Sequence, residues 1–317
     1  MKILANDGIS LSGATALKEA GFDLITVKVA QDQLENYIKE NNIEGVLVRS
    51  NTKIRKPLID ACPNIKFIGR GGVGMDNIDV EYARSKGLHV FNTPGASAAS
   101  VAELTFAHLF SGVRQLYNSN RNMPLEGDTM FSELKRSYAG GYELRGKTLG
   151  IIGFGRIGRE VAKLALGVGM KVIASDQEVG EATIELEFYN HQSIKIPIKT
   201  EPVEEIIKHS DFISLHVPAQ EKPIIGKKEF ASMKQGVGII NTARGGVIDE
   251  AALLEAIETD KVAFAGLDTF QDEPKPAIKL LMNEKVSLSP HIGAATIEAQ
   301  ERIGQELANE IINRYKP

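Results

Sequence analysis

The sequence predicts an α/β protein built as two doubly wound parallel-sheet domains, and three observations predict it. Short apolar runs alternate with amphipathic stretches along nearly the whole chain, the pattern of strands buried on both faces and covered by helices. The 317 residues, 43% of them hydrophobic, supply two cores rather than one. Glycine is plentiful at 30 residues while aromatics reach only 6%, which suits tight turns between aliphatic elements.

In the first half, Ile3–Ala5, Leu24–Val29, Val46–Arg49, Phe67–Gly69 and His89–Phe91 are short β-rich runs. Helical segments are expected between them at Ser12–Ala20, Gln31–Glu40, Arg55–Ala61 and Asp79–Lys86. Ser12 is the candidate N-cap of the first helix and Gly21 its stop. An Ala-rich segment, Ala98–Asn120, is expected as one helix, with Val101, Leu104, Thr105, His108, Leu109 and Val113 on a mostly apolar stripe. A loop carrying Pro124, Gly127, Gly140 and Gly141 should follow.

A second strand–helix series starts at Thr148. Its strands are Thr148–Gly153, Lys171–Ser175, Phe212–Val217, Val237–Asn241, Val262–Leu267 and Val286–Ser289. The last helix, about Thr296–Asn313, carries Ile303, Leu307 and Ile311 at i, i+4 spacing and is expected to cross back and complete the first domain. Between Ile184 and Thr200, apolar and charged residues alternate on both sides of Asn190–Gln192, the pattern of an inserted β-hairpin with a structural role.

Composition narrows the function classes. A net charge of −4 without a basic run argues against nucleic acid or an anionic membrane as partner. Cys62 is the only cysteine, so no intrachain disulfide forms and a reducing cytoplasm is the expected setting. No signal-peptide pattern is visible at the N-terminus. No apolar stretch reaches the roughly 18 residues of a spanning helix.

The sharpest motif is Gly153-Phe154-Gly155-Arg156-Ile157-Gly158, placed between an apolar strand and a helix carrying Val161, Leu164 and Ala165. Glycines at those three positions permit the tight turn, the approach of backbone to a pyrophosphate, and close helix–strand packing. The helix N-terminus then offers N–H groups and a partial positive charge to phosphate. Asp176 ends the next strand 18 residues beyond Gly158, near the spacing of the acid that binds a dinucleotide ribose. A carboxylate there accepts from both hydroxyls and repels a 2′-phosphate, favouring NAD. A structural glycine turn beside a surface Asp is the plainer alternative.

Three later strand ends carry candidate chemistry. Asn241-Thr242-Ala243-Arg244-Gly245-Gly246 places an Arg among small residues where strand ends line a ligand crevice, and its planar fork suits a carboxylate. Glu273, after the next strand, and His291, after the last, could pair; a carboxylate behind a His fixes the ring for acid–base work. Equally, Arg244 could be a surface ion-pair partner and His291 a structural histidine. His108 lies on an apolar helix face and is expected to be packed; His216 ends a strand and could approach a cofactor. No set of residues has metal-ligand spacing, so no metal is expected.

Taken together, these motifs resemble the D-isomer-specific 2-hydroxyacid dehydrogenases over essentially the whole chain. The matching pieces are Gly69–Asp79, Asn92-Thr93-Pro94, Val101-Ala102-Glu103, the glycine motif, Asn241–Gly246, Glu273-Pro274 and His291–Ala294. The resemblance implies two Rossmann/flavodoxin-like domains with an interdomain cleft: residues 1–96 plus 294–317 binding substrate, and 97–293 binding NAD. It implies Arg244, Glu273 and His291 as the catalytic trio. Gly153, Gly155, Arg156, Ile157, Gly158, Asp176, Val217, Thr242, Ala243, Asp268, Gly293 and Ala294 match cofactor-binding positions. Gly72, Val73 and Gly74 match a loop whose backbone N–H groups meet the substrate carboxylate, with Asn92 nearby. The family is typically dimeric, with the helix from Ala98 and the arm after it packing on the partner.

Within the family, Val48–Lys53 and Gly293–Gln300 are similar to the branch that oxidises D-3-phosphoglycerate, at the entry to serine synthesis. Arg49, Lys53 and Arg70 would supply cations for the phosphate, with Lys135 or Arg136 reaching from a partner; each is equally a solvated surface charge. Two departures from that branch stand out. The chain ends soon after its last helix, so a C-terminal regulatory domain is not expected, and Ile184–Thr200 is unusual. The alternatives are a glyoxylate or hydroxypyruvate reductase, a D-lactate-type dehydrogenase, or, from another class, an NAD-sensing corepressor-like binding protein. For the last, neither a peptide groove nor a nuclear-targeting run is visible.

Overall fold

The computed structural model describes residues 1–316 and divides into two compact units, Met1–Ala98 with the chain from Ala294 onward, and Ala99–Gly293. The first unit holds a five-stranded sheet. Its elements are β1 (Lys2–Ala5), α1 (Leu11–Glu19), β2 (Asp23–Ile25), α2 (Leu34–Glu40), β3 (Gly45–Val48), α3 (Lys56–Ala61), β4 (Phe67–Arg70), α4 (Val80–Ser85) and β5 (His89–Asn92). All pairings are parallel, in the order β2-β1-β3-β4-β5, the doubly wound arrangement whose switch point falls between β1 and β3. One face is covered by α1 and the C-terminal helix (Ile297–Tyr315), through Leu17, Ile303, Leu307 and Ile311. The other is closed by Leu34, Ile38, Leu58 and Ile59 from α2 and α3.

The first unit departs from expectation at two places. The N-cap of α1 is Ser10, not Ser12: Ser10 is extended and its Oγ accepts from Gly13 N at 3.2 Å. The run Leu24–Val29 is a strand only to Ile25, because the Asn6 side chain takes both backbone groups of Val29, at 2.8 and 3.1 Å. A strand would have spent those groups on its neighbour.

The second unit opens with α5 (Ala98–Val113), α6 (Leu116–Glu126) and α7 (Phe131–Ser137). The single helix expected over Ala98–Asn120 is therefore broken. Gln115 stands at φ 49°, and the Val113 carbonyl, which a continuing helix would have bonded to Tyr117, accepts from Tyr142 N at 2.9 Å. Beyond the break the chain stays helical through Pro124, where a loop was expected. The six-stranded sheet comprises β6 (Thr148–Ile152), followed by α8 (Arg156–Gly167), and β7 (Lys171–Ser175). The hairpin strands β8 (Glu181–Glu187) and β9 (Ser193–Lys199) form their own two-stranded sheet. Next come α9 (Val203–His209), β10 (Phe212–Leu215), α10 (Lys227–Ser232), β11 (Val237–Asn241), α11 (Glu250–Glu258), β12 (Val262–Leu267), α12 (Ile278–Leu281) and β13 (Val286–Leu288). The main sheet is parallel throughout, in the order β13-β12-β11-β10-β6-β7.

The β8–β9 hairpin has the alternation its sequence predicts. Ala182, Ile184, Leu186, Ile196 and Ile198 pack with Val161, Ala162 and Ala165 of α8, while Glu185 pairs with Lys195 across the outer face. At its exit, Thr200 makes one parallel bridge to Ala174 beside β7, where a further strand of a doubly wound sheet would lie.

Candidate active site

The glycine motif forms a cradle between β6 and α8. Gly153 turns at φ 95°, and a Cβ there would stand 2.4 Å from the His216 carbonyl; one at Gly158 would meet the Gly153 carbonyl at 2.1 Å. Both positions exclude a side chain. At Gly155 a Cβ would meet nothing within 4 Å. That open space lies at the N-cap of a twelve-residue helix whose first turn has no side-chain cap, so its N–H groups are available to an anion. Arg156 is exposed and Ile157 half-buried beside it. Asp176 ends β7 facing this turn: its Oδ2 accepts from Phe154 N at 2.6 Å, its Oδ1 from Glu178 N and Val179 N at 2.9 and 3.0 Å. A carboxylate has about four acceptor sites, so one remains for a ribose hydroxyl. These residues fit a dinucleotide.

Val217 flanks the same turn, its Cγ1 3.0 Å from a Cβ built on Gly153. His216, by contrast, is structural: its Nε2 bonds Ser214 Oγ at 2.8 Å, and burial pushes its pKa down to about 3, so the ring is neutral.

The end of β11 is shaped by Asn241. Its Oδ1 accepts from Ala243 N at 3.0 Å and its Nδ2 donates to the Arg244 carbonyl at 2.9 Å, closing a turn that fixes Arg244. Thr242 is buried against the Thr105 hydroxyl of α5, 3.0 Å away. Ala243 is buried, and Arg244 Nη1 donates to its carbonyl at 2.7 Å. A Cβ on Gly245 would lie 1.8 Å from the Phe270 carbonyl, so the turn packs directly on the loop after β12.

That loop and the next bring Glu273 and His291 together. His291 Nδ1 lies 2.8 Å from Glu273 Oε2, and Glu273 Oε1 accepts from Phe270 N at 3.0 Å. The carboxylate is thus held by backbone and in turn holds the ring, leaving Nε2 for other chemistry. Both side chains are exposed, at 43% and 37%, so the pair adds at most about 1 kcal/mol to stability and its significance is orientation.

His291 itself sits at φ 54°, a left-handed conformation costing about 1–2 kcal/mol in a non-glycine residue. Asp268, at 1% exposure, holds it there. The Asp268 carbonyl accepts from His291 N at 2.8 Å, Oδ1 from Ile292 N at 2.8 Å, and Oδ2 from Gly293 N at 2.9 Å. The Gly293 carbonyl accepts from Ser100 Oγ at 2.6 Å. In the first unit, Ala294 follows, its carbonyl bonded to Gln300 Nε2 at 2.6 Å.

The remaining first-unit candidates gather at the carboxyl ends of its strands. Asp7, after β1, accepts from Arg49 N and Thr52 N at 2.6 and 3.1 Å, pinning the loop after β3 at the switch point. Arg49 is half-buried and Lys53 exposed; among the described residues neither side chain has a carboxylate within ion-pair distance. Arg70 ends β4 and leads into Gly72 at φ 132°. The Gly72 N–H donates to Thr93 Oγ1 at 2.8 Å, so it is engaged within the loop rather than turned to a ligand. Asn92 Nδ2 donates to the Val73 carbonyl at 2.5 Å. Val73 N and Gly74 N have no acceptor among the described residues. Lys135 and Arg136 are exposed on α7, and Arg136 pairs with Glu133 at 3.1 Å.

Sequence reading missed the polar scaffold behind these groups: Asn241, Thr105, Thr93, Ser100 and Ser289. One signal was present. Ser287 and Ser289 alternate at the end of an apolar strand, which places both hydroxyls on one face.

Parallel sheets with a dinucleotide cradle and a His–Glu pair at the strand ends define an NAD-linked oxidoreductase. A sequence model described as "D-isomer specific 2-hydroxyacid dehydrogenase, NAD binding domain" matches residues 106–293. A hydroxypyruvate reductase from Thermotoga maritima is 45% identical over 286 residues, covering 89% of this chain and 87% of that protein. A D-3-phosphoglycerate dehydrogenase from Archaeoglobus fulgidus is 38% identical over 319 residues; the match takes in 100% of this chain but 58% of that protein. A solved glyoxylate reductase from Paecilomyes thermophila superposes with a TM-score of 0.83 at 29% identity, covering 100% of this chain and 96% of that one. The chain belongs to the D-isomer specific 2-hydroxyacid dehydrogenase family, and its cofactor is NAD.

Proposed function

We propose that this dehydrogenase oxidises D-3-phosphoglycerate to 3-phosphohydroxypyruvate, the reaction that feeds serine synthesis, with Arg244, Glu273 and His291 as its catalytic trio. The Gly153–Gly158 turn and Asp176 would hold NAD, which would supply the hydride acceptor for C2 of the substrate. The chain's own residues do the rest. Arg244 grips the carboxylate with its planar fork and polarises the C2 oxygen. His291 Nε2 takes the hydroxyl proton on oxidation and returns it on reduction, help typically worth about 10²- to 10⁴-fold. Glu273 fixes the ring with Nδ1 toward its carboxylate and stabilises the imidazolium that forms. In the first unit, Val73 and Gly74 carry backbone N–H groups that have no acceptor among the described residues.

The observation that carries the phosphorylated substrate is the pair of cations after β3. Arg49 and Lys53 have no carboxylate partner among the described residues, beside a loop that Asp7 holds rigid. A dianionic group is their natural complement. A second reading, reduction of hydroxypyruvate itself, is favoured by the 45% identity to a reductase of nearly the same length. We further propose a homodimer acting in the cytoplasm. Leu116, Met123 and Leu125 of α6, Phe131 of α7 and Met130 just before it are exposed at 43–77%, an apolar surface suited to a second copy.

The test is kcat/KM with NADH for phosphohydroxypyruvate, hydroxypyruvate, glyoxylate and pyruvate. A preference of about 10²-fold for the phosphorylated acid, about 2.7 kcal/mol of transition-state binding, supports the first reading. Equal or faster turnover of hydroxypyruvate replaces it with the second.

A further inference from the structure

We infer that His108, buried in α5 and remote in sequence from the trio, is a positioning residue that acts through Ser289 and Asp268 to hold the turn carrying His291. The inference rests on His291 being the acid–base group. A chain of side-chain bonds connects them. His108 Nδ1 lies 2.9 Å from Ser287 Oγ and its Nε2 lies 2.8 Å from Ser289 Oγ. Ser289 Oγ lies 2.6 Å from Asp268 Oδ1, and Asp268 binds Ile292 N and Gly293 N. The fold makes room for this: β12 has Gly266 where a Cβ would stand 2.6 Å from the Cβ of His108.

The donor and acceptor inventory fixes every proton in the chain. Asp268 accepts a backbone N–H on each oxygen and therefore also accepts from Ser289. Ser289 has one proton, so toward His108 it can only accept. His108 must carry its proton on Nε2, and its bare Nδ1 must accept from Ser287 Oγ–H. The order Ser287 → His108 → Ser289 → Asp268 is directional, each bond polarising the next. A protonated imidazole would break it, since Nδ1 would lose its acceptor role. Burial keeps the His108 pKa below the ordinary histidine range, against the nearby charge of Asp268. The chain therefore stays intact across the working pH of His291.

Without the His108 donor, Ser289 can rotate and Asp268 loses a fixed partner. The left-handed His291 turn then becomes one conformation among several. Substrate and NAD still bind; the proton-transfer geometry suffers. Misplacement of a catalytic group by about 1 Å costs on the order of 10²-fold.

The experiment has two arms on the full-length enzyme. Long-range ¹H–¹⁵N correlation of the histidine rings should show His108 as the neutral Nε2–H tautomer from pH 5.5 to 8. An Nδ1–H tautomer, or protonation within that range, overturns the inference whatever the enzyme's substrate. In the kinetic arm, His108→Leu and Ser289→Ala should each lower kcat by about 10-fold or more, with NADH affinity within about two-fold of wild type. His108→Gln, which restores an N–H toward Ser289, should recover most of the loss. Ser289→Ala removes only a hydroxyl and serves if His108→Leu does not fold. Wild-type kcat in folded Ser289→Ala, or no recovery in His108→Gln, overturns the inference. His291→Ala with wild-type turnover would instead overturn the reading of His291.

Discussion

His291 combines a strained backbone with an exposed, carboxylate-held ring, and these two features separate activity from stability at single residues. Glu273→Gln removes the charge behind Nδ1 but little burial. It should lower kcat by about 10- to 10²-fold while changing unfolding free energy by less than about 1 kcal/mol. Steady-state kinetics and urea denaturation check both halves. Asp268→Asn should do the opposite mixture. Its amide cannot accept from both Ile292 N and Gly293 N, so a buried donor is left unpaired. Destabilisation of about 1–3 kcal/mol should accompany the loss of kcat, visible as a lower denaturation midpoint.

At the scale of elements, the glycine turn gives the sharpest contrast. Gly155→Ala places its Cβ in open space at a helix N-cap, where Ala is poorer than Gly by about 1 kcal/mol, so the fold should hold while NAD binding weakens. Gly158→Ala drives its Cβ against the Gly153 carbonyl and should destabilise the unit itself. Thermal melts with and without NAD distinguish the two. This turn, the parallel strands and the hairpin were legible in the sequence because each is a local pattern: glycine spacing, apolar runs, alternation. The breaks were not. Whether Ala98–Asn120 forms one helix depends on Tyr142, far along the chain, claiming the Val113 carbonyl. Where β2 stops depends on Asn6 reaching Val29. In the same way the sequence singles out Arg244, Glu273 and His291 as candidates but not the Thr and Ser residues behind them, whose partners lie far along the chain, Thr105 on Thr242 and Ser100 on Gly293. The hairpin belongs to this scale too. Its buried face covers α8, and its base is tied to the Asp176 turn through Thr200 Oγ1 and the Val179 carbonyl, 2.6 Å apart. Tyr189→Ser at its exposed tip should leave stability and NAD affinity unchanged, whereas Ile184→Ala should lower stability by about 2–5 kcal/mol. Denaturation and NAD titration of both variants check this.

For the whole molecule, one buried and two half-buried histidines contribute to the acid limb of stability. His89, His108 and His216 all have pKa values lowered by burial, His216 to about 3, against an ordinary value of 6.5. Below pH 6.5 the unfolded chain takes protons that the native state refuses, so unfolding free energy falls as pH drops. Each such group contributes up to about 1.4 kcal/mol per pH unit within its window. Denaturation midpoints should therefore decline between pH 7 and 5, before most carboxylates titrate, and His216→Gln should flatten the slope. The apolar surface on α6 and α7 predicts sedimentation at twice the 34.5 kDa chain mass, shifted toward monomer by Leu125→Asp.

The most direct test of the account is Arg244→Ala, measured twice: equilibrium binding of NADH, and turnover of a panel of 2-keto acids with NADH. The account predicts NADH affinity close to wild type, because the cradle is built from Gly153–Gly158 and Asp176, together with loss of turnover by about 10²-fold or more on every keto acid. Turnover at the wild-type rate would show that the substrate carboxylate is held elsewhere and would contradict the assignment of the trio.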